Sequence, residues 1–132
     1  LVVGIDTFRP ITVDDPSDHV MHSEAYNVPE STWEACQNAR RVVAIGTTTA
    51  RSLESAARGP LSGRTDLFLR QGMSFEIVDL LMTNFHLPRS TLLLMIDAFI
   101  GPRWKDLYSE ALRDGYRFLS FGDTMLLDGA ST

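Results

Sequence analysis

Residues 81–91 read LMTNFHLPRST and join an apolar strand to an apolar helix through a corner that is rich in polar side chains. Pro88 fixes the turn and keeps Leu87 extended, so the strand ends before the helix begins. Buried polar groups are costly unless they are paired. The polar residues of this corner therefore either tie it together or face a ligand. Asn84 and His86 are compatible with both interpretations.

The same order of strand, turn and helix occurs upstream. The apolar run 42–46 is typical of a strand buried on both faces, and Thr47 or Thr48 is expected to cap a helix that ends near Gly59. Elsewhere, strands alternate with helices along the chain, which predicts an α/β layered domain with a mostly parallel sheet. The predicted strands are 1–8, 23–28, 66–70, 75–84, 116–120 and 125–127; the other predicted helices are 31–41 with Ser31 as its cap, 91–100 with Ser90 as its cap, and 104–113.

Size and composition limit the class of protein. The chain has 132 residues, enough for one domain with a substantial core. No run of about 18 apolar residues occurs, so we expect no membrane-spanning helix. Cys36 is the single cysteine, which excludes an internal disulfide and fits a reducing compartment such as the cytoplasm. We expect Cys36 on the buried face of a helix rather than acting as a nucleophile.

Charge and the first residues add two expectations. The formal net charge of −5 argues against a generally basic nucleic-acid-binding surface but leaves room for a local basic groove. Eleven of the twelve basic residues are arginine, the better residue for bidentate phosphate contacts. The sequence opens in the strand-like run LVVGI without an initiator Met. We therefore expect it to be a segment of a longer polypeptide.

The first candidate site is the start of the helix at Thr47. A buried strand that runs through Gly46 into this helix exposes backbone N–H groups at the carboxyl edge of the sheet, where an anionic or nucleotide group binds readily. Neither G-x-G-x-x-G nor a Walker lysine motif is present. The alternative is plain capping by Thr47 or Thr48, with Arg51 exposed to solvent.

Two further clusters contain titratable groups. His19 and His22 are three residues apart, which suits a metal pair, although no third ligand has a recognised spacing. The two imidazoles beside Glu24 are also suited to acid–base chemistry near neutral pH, and a hydrogen-bonded loop is the third interpretation. Asp123 follows a glycine at the end of a predicted strand, where it is either a turn residue or a catalytic carboxylate.

Taken together, the motifs resemble the C-terminal part of the S-adenosylmethionine:tRNA ribosyltransferase-isomerases of queuosine biosynthesis. Five stretches occur in the order that this family shows and span nearly the whole chain. They are GIDTFRP at 4–10, HVMHSEAY at 19–26, GTTTARSLE at 46–54, TNFHLPRSTLL at 83–93 and YRFLSFGDTM at 116–125.

The resemblance implies a fold, a reaction and a set of site residues. The fold is an α/β/α sandwich of which residues 1–132 form the C-terminal portion, and the family's small β-barrel is expected to lie outside this segment. The reaction transfers the ribosyl part of S-adenosylmethionine to a 7-aminomethyl-7-deazaguanine in the tRNA anticodon, forms epoxyqueuosine, and releases adenine and methionine. S-adenosylmethionine is a substrate, no metal is needed, and tRNA is the partner of a protein expected to be monomeric and cytoplasmic. By motif position, proton transfer is assigned to His19, His22 and Glu24, with His86 and Asp123 as alternates, and binding of cofactor or tRNA to Thr47, Thr48, Arg51 and Asn84.

Some positions depart from the family pattern, and two other functions are therefore compatible with the sequence. Asp6 stands where the family usually has a second glycine, and Asp97 where it more often has a small residue. A carboxylate at a close-packed turn would alter the pocket, which motivates the alternative of a degenerate relative that binds tRNA or a nucleotide without turnover. A metal-dependent hydrolase using His19 and His22 is the second alternative.

Overall fold

The computed structural model of the chain describes residues 1–4 and 20–129. The elements follow one another in the order β1 (Glu24–Asn27), α1 (Glu30–Asn38), β2 (Val43–Ile45), α2 (Thr47–Arg58), β3 (Ser62–Thr65), β4 (Leu80–Asn84), α3 (Thr91–Ile100), a 3-10 turn (Gly101–Arg103), α4 (Trp104–Arg113) and β5 (Thr124–Asp128). The predicted α/β class is confirmed.

The described strands form two small sheets. β1 and β3 pair antiparallel, whereas the larger sheet has the order β2-β4-β5. In the larger sheet β2 and β4 are parallel, and β4 and β5 are antiparallel. The prediction of a mostly parallel sheet therefore needs correction, because β5 follows α4 through a loop that returns the chain in the opposite direction to β4.

One face of the larger sheet carries the core. Ala44, Leu81 and Leu127 lie side by side across the three strands and are almost fully buried, and helices α2 and α3 pack against these strands. Ile45, Met82 and Leu126 form the neighbouring row on the other face and are 70%, 37% and 57% exposed. The prediction that the strand at 42–46 is buried on both faces is wrong within the described part of the chain. Helices cover one face of the sheet there, whereas Val43 and Ile45 on the other face are exposed.

Three helices lie where the sequence predicted them. α2 ends at Arg58, α3 spans 91–100 with the Ser90 hydroxyl accepting a hydrogen bond from the N–H of Leu93 at 3.2 Å, and α4 spans 104–113. Asp97 within the apolar α3 is satisfied by the indole N–H of Trp104, which lies 2.7 Å from its carboxylate. The described helices are too short to cross a membrane.

Several predicted boundaries are wrong. α1 begins at Glu30 with Pro29 as its N-cap, two residues before the cap expected at Ser31. α2 is preceded by Gly46, and no side-chain cap from Thr47 or Thr48 is formed. Residues 66–70 and 116–120 are not strands, while β3 lies in a segment that reads as a loop. Residues 1–4 have no regular structure, and the rest of the strand predicted at 1–8 lies outside the described residues.

Candidate functional site

A hollow lies between β1, the first turns of α2 and α3, and the irregular segment that follows β3. The space in it that is open to a water-sized molecule is about 40 Å³, and the hollow reaches about 600 Å³ only when the open solvent at its mouth is counted. Five of the nine predicted site residues line it: His22, Glu24, Thr47, Thr48 and Arg51. The rest of the lining is mainly apolar and comprises Leu1, Val3, Met21, Leu67, Phe68, Leu69, Thr91, Leu92 and Met95.

Arg51 is a buried cross-link in the wall of this hollow. Its guanidinium forms an ion pair with Glu24, and the two side chains are only 8% and 6% exposed. The remaining hydrogen bonds of Arg51 go to backbone carbonyl oxygens: Leu67 at 3.0 Å, Thr65 at 3.1 Å and His22 at 3.2 Å. The alternative interpretation, in which Arg51 is exposed to solvent, is wrong, because its buried side chain joins α2 to β1, to β3 and to the segment beyond it.

Glu24 also positions the N-terminal residues. Its carboxylate accepts a hydrogen bond from the N–H of Gly4 at 2.8 Å, and the N–H of Val2 donates to the carbonyl of Ala25 at 2.7 Å. These contacts place the side chains of Leu1 and Val3 along the hollow. His22 lies just before β1, exposed at the mouth, with its backbone carbonyl held by Arg51.

Thr47 and Thr48 reach the hollow because of the turn at Gly46. Gly46 adopts φ +92°, a left-handed conformation that favours glycine, and its N–H continues the sheet by donating to the carbonyl of Met82 at 2.8 Å. The chain then turns directly into α2. Both threonines are half-buried and line the hollow at the helix N-terminus, where backbone N–H groups attract negative charge.

Asn84, His86 and Asp123 form a second cluster that does not line the hollow. The side-chain amide of Asn84 donates to the carbonyl of Asp123 at 3.2 Å, and the Asp123 carboxylate accepts the N–H of Arg117 at 2.7 Å. The His86 imidazole is 2.9 Å from the Thr83 hydroxyl. These contacts favour the interpretation in which the polar groups tie the corner together.

Burial keeps His86 neutral. Desolvation lowers the pKa of its imidazole from 6.5 to about 4. The N–H of His86 donates to the Tyr108 hydroxyl at 3.0 Å. Burial raises the pKa of this hydroxyl, and the hydrogen bond from His86 lowers it in part. At pH 7 His86 is therefore an uncharged group within the corner.

The two clusters lie on the same edge of the larger sheet. β2 and β4 are parallel and end at the same edge, β2 just before Gly46 and β4 at Asn84, and antiparallel β5 begins at this edge with Thr124 opposite Asn84. With strand order β2-β4-β5, the end of β2 and the start of β5 are separated by two interstrand spacings, or about 10 Å. The polar corners thus share a sheet edge although they do not share one hollow.

The sequence also drew attention to His19, Asp6 and Cys36. His19 and Asp6 lie outside the described residues. Among residues 1–4 and 20–129, no three His, Cys, Asp or Glu side chains are grouped so as to hold a metal ion. Cys36 is half-buried on α1 and packs against the core.

Sequence reasoning missed two features of the site. Leu92 and Met95 lie in the predicted helix 91–100 without a predicted role, and both line the hollow, although Met95 also belongs to the buried core. Glu54 is the last residue of the motif at 46–54, and no role was predicted for it. Its side chain is fully buried and accepts hydrogen bonds from the N–H groups of Ile77 at 3.1 Å and Val78 at 3.0 Å. The available signal for Glu54 was its i,i+4 spacing to Arg58, with which it pairs.

Comparisons with known proteins agree with the motifs. A family model described as "Queuosine biosynthesis protein" matches residues 1–127. The S-adenosylmethionine:tRNA ribosyltransferase-isomerase of Azoarcus sp. (strain BH72) is 50% identical over 136 residues, covering 96% of this chain and 39% of the relative. The Thermotoga maritima protein of the same name is 48% identical, with 96% and 41% covered.

A solved structure extends the likeness to three dimensions. The crystal structure of S-adenosylmethionine tRNA ribosyltransferase from Thermotoga maritima matches with a TM-score of 0.71 and 48% identity, covering 75% of this chain and 38% of that one. The chain spans about two fifths of the length of the curated relatives it matches.

Proposed function

The chain belongs to the queuosine biosynthesis protein family, and from this premise we propose that it forms part of an S-adenosylmethionine:tRNA ribosyltransferase-isomerase. The complete protein would transfer and isomerise the ribosyl part of S-adenosylmethionine onto 7-aminomethyl-7-deazaguanine in tRNA. Epoxyqueuosine, adenine and methionine would be the products. In this proposal the protein works as a monomer in the cytoplasm.

The observation that carries the proposal is the gathering of His22, Thr47 and Thr48 around one largely apolar hollow at the sheet edge. S-adenosylmethionine combines a flat aromatic base, which stacks on apolar side chains, with a charged amino-acid end, so it requires a site of mixed character. We assign the base to the wall formed by Leu67 and Met95. We assign the carboxylate to the N-terminus of α2, because N–H groups there favour an anion.

Within this site we propose His22 as the proton-transfer group. The reaction begins with removal of a proton next to the sulfonium and ends with expulsion of methionine, and it needs a base, an acid and a pocket poor in water. His22 lies at the mouth of the hollow, where its imidazole can reach a bound substrate and exchange protons with solvent. An imidazole can both accept and donate a proton, so it suits both roles.

Glu24 and Arg51 receive a positioning role in the proposal. Each neutralises the other in the wall, and the Arg51 guanidinium also holds the backbone carbonyl of His22. Neither needs to contact the substrate in order to be essential. Asn84, His86 and Asp123 are proposed to hold the neighbouring corner, since their described contacts lie within it.

The two alternatives gain no support from the described residues. Asp6, which motivated a degenerate relative, lies outside them. Among the described residues, His22 is not grouped with two further potential metal ligands. The set of donors that a hydrolytic metal ion requires is therefore incomplete in that part of the chain.

The experiment is an assay of adenine release by the complete protein encoded by the gene. The protein would be mixed with S-adenosylmethionine and tRNA carrying 7-aminomethyl-7-deazaguanine, and adenine and methionine would be measured by chromatography. Release of both in step with epoxyqueuosine formation supports the proposal. Binding of tRNA without release of adenine would favour the degenerate relative instead.

A further inference from the structure

The loop 117–123 is closed tightly on itself at the start of β5. The N–H of Asp123 donates to the carbonyl of Arg117 at 2.8 Å, and the N–H of Arg117 donates back to the Asp123 carboxylate at 2.7 Å. The N–H of Gly122 donates to the carbonyl of Leu119 at 2.9 Å. A Cβ at position 122 would lie only 2.2 Å from the Arg117 carbonyl oxygen, so this closure requires glycine.

This closed loop holds an aromatic ring out in solvent. The Phe121 side chain is 97% exposed, and the adjacent Leu119 is 50% exposed with φ +70°, an unfavourable backbone conformation for leucine. The loop is anchored to the corner by the N–H of Leu119, which donates to the carbonyl of Phe85 at 2.9 Å. A strained, braced backbone that presents a large apolar group points to a binding role.

The neighbouring charge identifies the kind of partner. The Arg117 side chain is 76% exposed, and its guanidinium lies in a loose ion pair 3.9 Å from the Asp123 carboxylate. An exposed aromatic ring next to an exposed guanidinium suits single-stranded RNA, whose unpaired bases stack on aromatic rings and whose phosphates pair with arginine.

The position of the loop fits the same partner. Asn84 ties the loop to the edge of the larger sheet, and the start of β5 lies two interstrand spacings, or about 10 Å, from the end of β2, which leads into α2. A nucleotide held on the loop would therefore lie within a few nucleotide lengths of the hollow.

We propose that Phe121 stacks on an unpaired base of the tRNA substrate and that Arg117 contacts an adjoining phosphate. The inference rests on the proposed function for the identity of the RNA. The competing occupant is a protein segment: the part of the complete protein that lies beyond this chain would cover Phe121 by apolar packing.

The experiment measures binding of an anticodon stem-loop RNA, with 2-aminopurine in the loop, to the complete protein. Phe121→Ala, Phe121→Leu and Phe121→Tyr would be compared, with Leu112→Ala as the matched control because Leu112 is also apolar and 65% exposed but lies on α4. Stacking predicts that Ala and Leu both weaken binding about ten-fold and abolish quenching of the fluorescent base, whereas Tyr stays within about two-fold of wild type. Arg117→Gln should reduce the slope of log Kd against log salt concentration by roughly the amount expected for the loss of one phosphate contact.

Two results would overturn the inference. One is unchanged RNA binding and quenching in Phe121→Ala. The other is Phe121→Leu behaving as wild type while Phe121→Ala lowers the thermal midpoint, which would place Phe121 in a protein interface. Because adenine release by the wild-type protein is assayed separately, failure of the stacking inference and failure of the proposed function are distinguishable.

Discussion

The guanidinium of Arg51 and the carboxylate of Glu24 form an ion pair inside the wall of the hollow, with side chains 8% and 6% exposed. Two buried charges of opposite sign stabilise each other only while both are present. The pair therefore determines the shape of the candidate site, although both residues read in the sequence as ligands or proton carriers.

Loss of Arg51 should destabilise the protein strongly. Arg51→Met removes the guanidinium that forms the ion pair with the buried Glu24 carboxylate, which costs about 3–5 kcal/mol of unfolding free energy. Urea unfolding measures this cost. Arg64→Met is the matched control, because Arg64 also contacts the start of β1 but is exposed, and its loss should cost less than about 1 kcal/mol. Equal costs in the two variants would show that the pair does not hold the wall.

Glu54 should anchor the segment before β4. Its fully buried carboxylate accepts N–H groups from Glu76, Ile77 and Val78. Glu54→Gln replaces one acceptor oxygen by a donor that faces these N–H groups, so we expect a loss of about 1–3 kcal/mol. Hydrogen exchange at Ile77 and Val78 should accelerate in the same variant. Glu110→Gln, at an exposed site on α4, is the control that should change neither property.

Stability should fall in acid partly because of His86. Its pKa in the folded protein is about 4, below the 6.5 of the free group, so the unfolded chain binds the proton more readily between these values. The stabilising contribution is complete above pH 6.5 and is lost as pH falls toward 4, by at most about 1.4 kcal/mol per pH unit. His86→Gln should flatten the dependence of unfolding free energy on pH in this window. An unchanged slope would contradict the assigned burial.

Helices were predictable because their signals are local. Ser90 caps α3 and Gly101 ends it, and the ten residues between them are largely apolar. β3 was missed because SGRT has no strand pattern of its own and forms a strand only by pairing with β1. Residues 116–120 show the opposite case, since their alternating aromatics suit a strand but the Asp123 contacts close them into a loop.

The candidate site was predictable only in part. Motif positions brought His22, Thr47 and Thr48 to one hollow, because strand ends and helix starts meet at a sheet edge. The apolar wall was not predictable, since Leu92 and Met95 have the spacing of any core-facing helix. Arg51 was misread because burial of a long charged side chain depends on partners distant in sequence.

The proposed role of His22 in proton transfer gives a kinetic prediction. His22→Ala in the complete protein should lower the rate of adenine release by about 100-fold or more, the usual contribution of a general acid or base. Binding of S-adenosylmethionine should change much less. Ser23→Ala is the neighbouring control, as Ser23 is exposed and does not line the hollow. Turnover unchanged in His22→Ala would remove this residue from the mechanism.

The most direct test of the account is equilibrium binding of S-adenosylmethionine to the complete protein after the hollow has been filled. Thr48 lines the hollow, whereas its neighbour Thr49 is exposed on the same turn of α2 and does not. If the substrate occupies this hollow, Thr48→Phe abolishes measurable binding and Thr49→Phe binds as wild type, with both variants folded. Wild-type affinity in Thr48→Phe would contradict the assignment of the site.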